Sequence, residues 1–116
     1  MKRPARNYLV RMTNKQKFLN FLGIAQGAGK IISGENSLLR SIRVHQIKYL
    51  VIASDAGAAT SKKFHDKAQS YRIVVNDRLS QNEISRAIGS LRVVVGICDQ
   101  NFAKRLIELQ TKFKGQ

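Results

Sequence analysis

Gly34, Asn36 and Arg40 are residues whose types and spacing suit contact with a nucleic acid. Asn36 and Arg40 are four residues apart, so both side chains lie on one face if the segment is a helix. An Asn amide can pair with a base edge, and an Arg guanidinium can bind a phosphate or a guanine. Gly34 would let the backbone lie close to a partner, and a helix start attracts phosphate. The spacing equally allows an ordinary helix start, in which Asn36 is the N-cap and Arg40 is solvated.

Residues 27–30 hold two glycines followed by a lysine, as the phosphate-binding loop of a nucleotide-binding protein does. That loop also requires a glycine five residues before the second one and a Ser or Thr after the lysine. Ile24 and Ile31 occupy these two positions. The glycines also follow a predicted helix and precede a predicted strand, which is the reverse of the required order. The segment therefore predicts the end of a helix and a turn.

The other residues that could do chemistry do not form a catalytic or metal-binding set. Cys98 ends a predicted buried strand without a base in a neighbouring motif, which is typical of a core cysteine. His45 and His65 are not at metal-ligand spacing, and a single cysteine cannot make a zinc site. Three aspartates each follow a predicted strand, where turn formation and capping explain them more simply than a carboxylate cluster: Asp55, Asp77 and Asp99. We therefore expect no enzymatic activity, no cofactor and no metal.

The charge of the chain favours a polyanionic partner. The sequence has 21 Lys and Arg against 7 Asp and Glu, a net charge of +14, and a pI near 10.7. Such an excess is typical of proteins that bind nucleic acid or the ribosome, whereas a membrane surface would require a basic amphipathic helix with apolar anchors. The basic N-terminus is not followed by the apolar run of a signal peptide, and one cysteine fits a reducing compartment. We expect a cytoplasmic protein.

Helices and strands alternate along the sequence, which predicts an α/β protein. Two capping boxes, Thr13 with Gln16 and Ser80 with Glu83, mark helix starts. Apolar runs predict four strands, at residues 30–33, 49–53, 72–75 and 93–98. Because crossover helices must cover both faces of a sheet, we expect a three-layer α/β/α sandwich with a four-stranded mixed, mostly parallel sheet. Residues 1–12 are predicted to be a flexible basic arm, and residues 13–116 a single domain.

Four short motifs follow one another in the order found in a known protein family. Gly34, Asn36 and Arg40 match its Gly-x-Asn-Glu-x-x-x-Lys helix start, with Arg in place of Lys. An Ala-x-Asp turn follows at residues 53–55, a helix ending in Ala-x-Gly at residues 84–89, and a loop with Arg before a Val-rich strand at residues 90–95. Over about residues 18–109 the sequence resembles the kink-turn-binding ribosomal proteins of the L-seven-Ae and L-thirty-e type, and their bacterial branch in particular.

The resemblance implies a protein that grips a sharply bent RNA internal loop with tandem G·A pairs. The helix start would enter the opened groove, and the loop at residues 90–92 would hold a flipped-out nucleotide with Leu91 packed on its base. Ser37 and Gly57 stand where the family has glutamates, so we expect weaker recognition of the G·A pairs. On this resemblance the RNA-binding residues are Gly34, Glu35, Asn36, Ser37, Arg40, Arg43, Arg86, Ser90, Leu91 and Arg92.

These observations favour the binding of structured RNA in the assembly of the ribosome or of another RNA–protein complex. The expected partner is a structured RNA, with ribosomal RNA as one candidate, and the free protein is expected to be a monomer without a membrane partner. The alternative is a non-enzymatic protein-interaction module of the transcription or translation machinery, whose basic surface keeps it near RNA.

Overall fold

A computed structural model describes residues 12–113 of the chain, so the predicted arm, apart from Met12, lies outside the described residues. Helices and strands alternate over the described part. Their bounds are α1 Asn14–Gly27, β1 Ile31–Ser33, α2 Glu35–Arg43, β2 Tyr49–Ile52, α3 Ala58–Ser70, β3 Val74–Asn76, α4 Gln81–Ile88, β4 Val94–Ile97 and α5 Gln100–Phe113. The predicted α/β class is confirmed. None of the helices within residues 12–113 combines the length and the hydropathy that a membrane span needs.

The four strands form one mixed sheet in the order β1-β4-β2-β3. β2 and β3 are parallel, but β4 lies between β1 and β2 and is antiparallel to both. The prediction of a mostly parallel sheet was therefore wrong, since one of the three strand pairs is parallel.

The direction of β4 follows from where α4 packs. This helix has eight residues. Its first N–H, of Gln81, donates to Asp55 just after β2, and Ser85 is hydrogen-bonded to Arg92 just before β4. Both contacts lie at the end of the sheet where β2 and β3 finish. The chain therefore enters β4 from the end at which it left β3, which makes β4 run in the opposite direction.

Helices pack on both faces of this sheet. In β2 the side chains of Tyr49 and Val51 belong to one core, and those of Leu50 and Ile52 to the other, as the alternation of a strand requires. The first core also contains buried residues of α1, α4 and α5, and the second contains buried residues of α2 and α3. Because both faces are covered, every residue of β2 is buried.

Local signals in the sequence set the helix ends as expected. Both capping boxes are present, with the Thr13 hydroxyl accepting from the Gln16 N–H at 3.0 Å and the Ser80 hydroxyl from the Glu83 N–H at 3.1 Å. The segment at residues 27–30 is the end of α1 and a turn, in which Gly29 adopts a φ of 73°. The interpretation of this segment as a helix end is confirmed.

Gly23 allows α1 to lie directly against α4. A Cβ at this position would be 2.8 Å from the backbone oxygen of Ala87, closer than real side chains come. Because the obstructing atom belongs to the backbone of α4, a side chain at Gly23 would force the two helices apart. Gly27, at the end of the same helix, has no atom within 4 Å of such a Cβ.

Gly23→Ala should therefore lower the free energy of unfolding by about 1–3 kcal/mol, the usual cost of overpacking. Gly27→Ala is the matched control, and it should leave stability unchanged or raise it by up to about 1 kcal/mol because alanine is the better helix former. Urea unfolding of both variants measures the difference. Equal stability of the two would show that α4 moves away from α1 without cost.

Candidate nucleic-acid interface

One end of the sheet collects the starts of three helices. β1, β2 and β3 finish there at Ser33, Ile52 and Asn76, as the strand registers show. We call it the carboxyl end of the sheet. Helices α2, α3 and α4 each follow one of these strands and begin at this end. A helix start carries partial positive charge and attracts anions. The starts of α2 and α3 have no side-chain cap, whereas Asp55 and Ser80 accept from the first N–H groups of α4.

The start of α2 is open to a partner. Its N-cap is Gly34, whose φ of 91° is a conformation that side chains rarely adopt, and no side chain caps the helix. The N–H groups of the first turn are therefore not covered by a side-chain cap. Asn36 lies inside the helix and is exposed, with no hydrogen bond from its side chain to any residue in 12–113. The alternative in which Asn36 is the N-cap was wrong.

The loop before β4 is bound to the start of α2. Arg92 Nε donates to Ser33 Oγ at 2.9 Å, directly before Gly34, and Arg92 Nη1 donates to the carbonyl of Leu91 at 2.8 Å. Ser85 holds the loop from the other side, since its hydroxyl accepts from the Arg92 N–H at 2.9 Å and donates to the Arg92 carbonyl at 3.3 Å. The Leu91 side chain is left 72% exposed.

Eight of the predicted site residues thus lie on two segments that the Arg92–Ser33 hydrogen bond joins. We call them the α2–loop surface: Gly34, Glu35, Asn36, Ser37, Arg40, Ser90, Leu91 and Arg92. Two predicted residues lie elsewhere. Arg43 is at the far end of α2, about 12 Å from its start, and Arg86 lines a groove between α1 and α4 together with Lys15 and Asn20.

Sequence reasoning missed the residues that hold this surface together. Ser33 and Ser85 are small polar residues with no distinctive spacing, and the partner of Ser33 is 59 positions away. Lys63 of α3 binds Glu35 at 3.1 Å and Thr60 donates to Glu35 at 3.5 Å, so α3 is bound to the start of α2. No pattern in the sequence indicates contacts between elements so far apart.

The acidic residues are all engaged, which leaves basic side chains free for a partner. Each of the seven carboxylates accepts from a Lys, an Arg, a His or a backbone N–H: Glu35, Asp55, Asp66, Asp77, Glu83, Asp99 and Glu108. Arg40 and Arg92 pair with no carboxylate within residues 12–113, and Arg40 Nη2 instead donates to Ser37 Oγ at 3.4 Å. The positive charge of the α2–loop surface is therefore not neutralised by the protein.

Two side chains near the carboxyl end have shifted pKa values. The carbonyl of Ser61, 2.8 Å from His65 Nδ1, raises the pKa of His65, and Asp77 at 3.1 Å from Nε2 adds to this. Partial burial alone would raise the pKa of Glu83. The ion pair with Lys15 and the N–H of Ser80 outweigh it, so the pKa of Glu83 is lowered. Both groups are fixed by these contacts rather than directed at the α2–loop surface.

The residues considered for catalysis or metal binding have structural contacts. Asp55 accepts from the first N–H of α4, and Asp99 caps α5 through the N–H of Phe102 at 2.9 Å. Asp77 binds His65. Cys98 is partly buried, and its thiol donates to the Lys30 carbonyl at 3.4 Å. Within residues 12–113 no group of three or more His, Cys, Asp or Glu side chains could hold a metal ion.

Comparison with known proteins gives relatives with named activity. RNA-binding protein YlxQ of Enterococcus faecium is 41% identical over 96 residues, 83% of this chain and 93% of that protein. RNA-binding protein YlxQ of Bacillus subtilis is 38% identical over 89 residues, 76% of this chain and 89% of that protein. No protein-family model matches the chain.

Solved structures share the fold. A Bacillus halodurans protein described as of unknown function has a TM-score of 0.77 and 36% identity, over 80% of this chain and 95% of that one. The Giardia lamblia 15.5kD RNA binding protein has a TM-score of 0.70 and 17% identity, over 87% of this chain and 88% of that one. At that identity the second likeness shows the fold alone.

Ser85→Ala should loosen the loop at residues 89–92. It removes both hydrogen bonds to Arg92, so we expect a loss of about 1 kcal/mol in stability and about ten-fold faster hydrogen exchange at the Arg92 amide. Ser90→Ala is the control, because the exposed Ser90 side chain has no hydrogen bond to another residue in 12–113. Hydrogen exchange at the Arg92 amide, measured by NMR in both variants, tests this prediction. Unchanged protection in Ser85→Ala would mean that the Arg92–Ser33 bond alone holds the loop.

Proposed function

The chain belongs to the family of the bacterial YlxQ proteins, and from this membership we propose that it binds structured RNA through the α2–loop surface. Membership of this bacterial branch was predicted from the order of four motifs, and it is confirmed. The observation that carries the proposal is the Arg92–Ser33 hydrogen bond, because it joins the exposed Leu91 to the uncapped start of α2. An apolar contact and a group of polar donors thus belong to one surface.

The start of α2 supplies the polar half of the RNA contact. Its first-turn N–H groups and its dipole suit a phosphate, and the exposed Asn36 amide suits a base edge. Arg40 is one turn further along, and its contact with Ser37 directs the guanidinium toward the helix start. With Ser37 at this position Arg40 keeps its charge, whereas a glutamate would pair with it and neutralise that charge.

Leu91 supplies the apolar half. A side chain of this size that is 72% exposed, on a loop held at both sides, is suited to pack on an unstacked base. Straight A-form RNA offers no such base, and its major groove is too narrow for side chains to read. We therefore propose that the RNA target is bent at an internal loop, as a kink-turn is, and that α2 enters its widened groove.

We infer that the two helical layers and the sheet make the three-layer sandwich expected from the sequence, with the RNA at one edge of it. We place the protein in the cytoplasm, in the assembly of ribosomal or other RNA–protein complexes, as a monomer when free and without catalytic activity. Residues 1–12 would add phosphate contacts without sequence preference, since phosphate contacts carry no sequence information.

The protein should prefer a kink-turn RNA over a straight duplex of equal length. The preference should fall about ten-fold or more on Asn36→Ala or on Leu91→Ala, since a good base contact is worth about 1–3 kcal/mol. Because Ser37 and Gly57 replace the two family glutamates, the preference of the native chain should be smaller than that of archaeal relatives. Competition between the two RNAs in a gel-shift assay at one salt concentration measures it.

Lys104→Ala is the matched control, because Lys104 is an exposed residue of α5. It should weaken the binding of both RNAs equally and leave their ratio unchanged. Equal affinity of the native protein for both RNAs would show that the fold is present without kink-turn recognition. Unchanged RNA affinity in all three variants would instead favour the protein-interaction alternative.

A further inference from the structure

A second basic site lies at the opposite end of the sheet from the α2–loop surface. There a concavity of about 300 Å³ opens between the ends of α2 and α3 and the starts of β2 and α5. Its polar lining comes from His45, Lys48, Tyr71, Arg72 and Gln100, over a floor of isoleucines. We call it the distal concavity. None of the contacts described for the α2–loop surface involves it.

Two of its residues have an unfavourable backbone conformation. His45 has a φ of 62° and Arg72 a φ of 56°, and they are the two non-glycine residues with positive φ in the described part of the chain. Each directly follows the C-cap of a helix, α2 and α3 respectively. Glycine is the usual residue at this position, because a side chain there costs about 1–2 kcal/mol. The side chains of His45 and Arg72 are therefore present at a cost in stability, and ending the helix does not require them.

Three of the polar side chains around the concavity, those of His45, Lys48 and Tyr71, have contacts that order them before a partner binds. The rings of His45 and Tyr71 are 5.5 Å apart at an angle of 57°. Lys48 Nζ donates to the His45 carbonyl at 3.1 Å, which anchors the lysine at the rim. A preorganised site loses less conformational entropy when it binds a partner.

The charge of the concavity is positive. None of the residues that line it is acidic. Asp99, which precedes Gln100, is engaged with the N–H of Phe102 and with Lys30 at 3.8 Å. The carboxyl ends of α2 and α3 carry partial negative charge, and basic residues in their last turns already offset it. The charges of Lys48 and Arg72 therefore add to the positive charge of the concavity.

We propose that the distal concavity binds the phosphate backbone of a second RNA segment, so that the protein connects two RNA segments at opposite ends of α2. This rests on the proposed function in taking RNA as the partner. The guanidinium of Arg72 matches the geometry of a phosphate. RNA bound at the α2–loop surface also raises the effective concentration of its own neighbouring segments at this site, because α2 is only about 13 Å long.

The test compares two double variants of equal charge. Lys48→Ala/Arg72→Gly removes two cations of the concavity, and the glycine relaxes the backbone, so its melting temperature should equal or exceed that of the native protein. Lys17→Ala/Lys104→Ala removes two exposed cations from α1 and α5. Each protein is first saturated with a short kink-turn hairpin, and fluorescence anisotropy then follows the binding of a labelled second duplex.

The first double variant should bind the second duplex about ten-fold more weakly or worse than the Lys17/Lys104 control. The log–log salt slope should fall by about 1.4–1.8 as two phosphate contacts are lost. Binding of the hairpin itself should be the same in both variants. The native protein could bind the second duplex at this site and yet bind the kink-turn hairpin no better than a straight duplex of equal length. That result would contradict the proposed function and support the second site.

Two results would overturn the second site. In one, the two double variants bind the second duplex equally, with equal salt slopes. In the other, the two double variants bind RNA equally, but the Lys48/Arg72 variant binds poly-glutamate more weakly than its control does. The concavity would then be a docking site for an acidic protein.

Discussion

The direction of β4 is the constraint on which the rest of the structure depends. Because α4 is bonded next to the end of β2 and again just before β4, the chain re-enters the sheet where it left it, and β4 runs antiparallel between β1 and β2. That placement brings the loop before β4 to the point where β1 ends and α2 begins. In a sheet with a parallel β4, Arg92 would lie at the opposite end from Ser33, and Leu91 would have no place beside α2.

The excess of positive charge also affects the stability of the folded chain. A chain of net charge +14 repels itself, and its seven carboxylates can offset only part of that repulsion. All seven carboxylates have contacts within the fold, either with N–H groups at helix starts or with basic side chains. Of the cations left over, Arg40 and Arg92 belong to the α2–loop surface, and Lys48 and Arg72 belong to the distal concavity. An anionic partner would relieve the remaining repulsion at both sites.

The sequence predicted what depends on near neighbours along the chain. Thr13 with Gln16 and Ser80 with Glu83 set helix starts through contacts three residues apart, and Gly34 marked where α2 begins. The direction of β4 was predicted wrongly, because it depends on how α4 packs and not on any local pattern. The bond between Ser33 and Arg92 was not predictable for the same reason. Nor does the sequence show that His45 and Arg72 have positive φ, because glycine is the usual residue at those helix ends.

Helix α2 makes the two basic ends of the molecule parts of one rigid element. Leu38 and Ile42 are fully buried in the core beneath it, and Leu38 approaches Gly96 of β4 so closely that a Cβ there would be 2.5 Å from its Cδ1. The helix cannot shift along its axis without disturbing that contact, because packed cores are not continuously deformable. Since α2 is fixed, the spacing between its start at Gly34 and the turn at His45 is fixed too. If both proposed sites bind RNA, this fixed spacing would favour an RNA whose segments already match it, and selection would then be by shape even where base contacts are few.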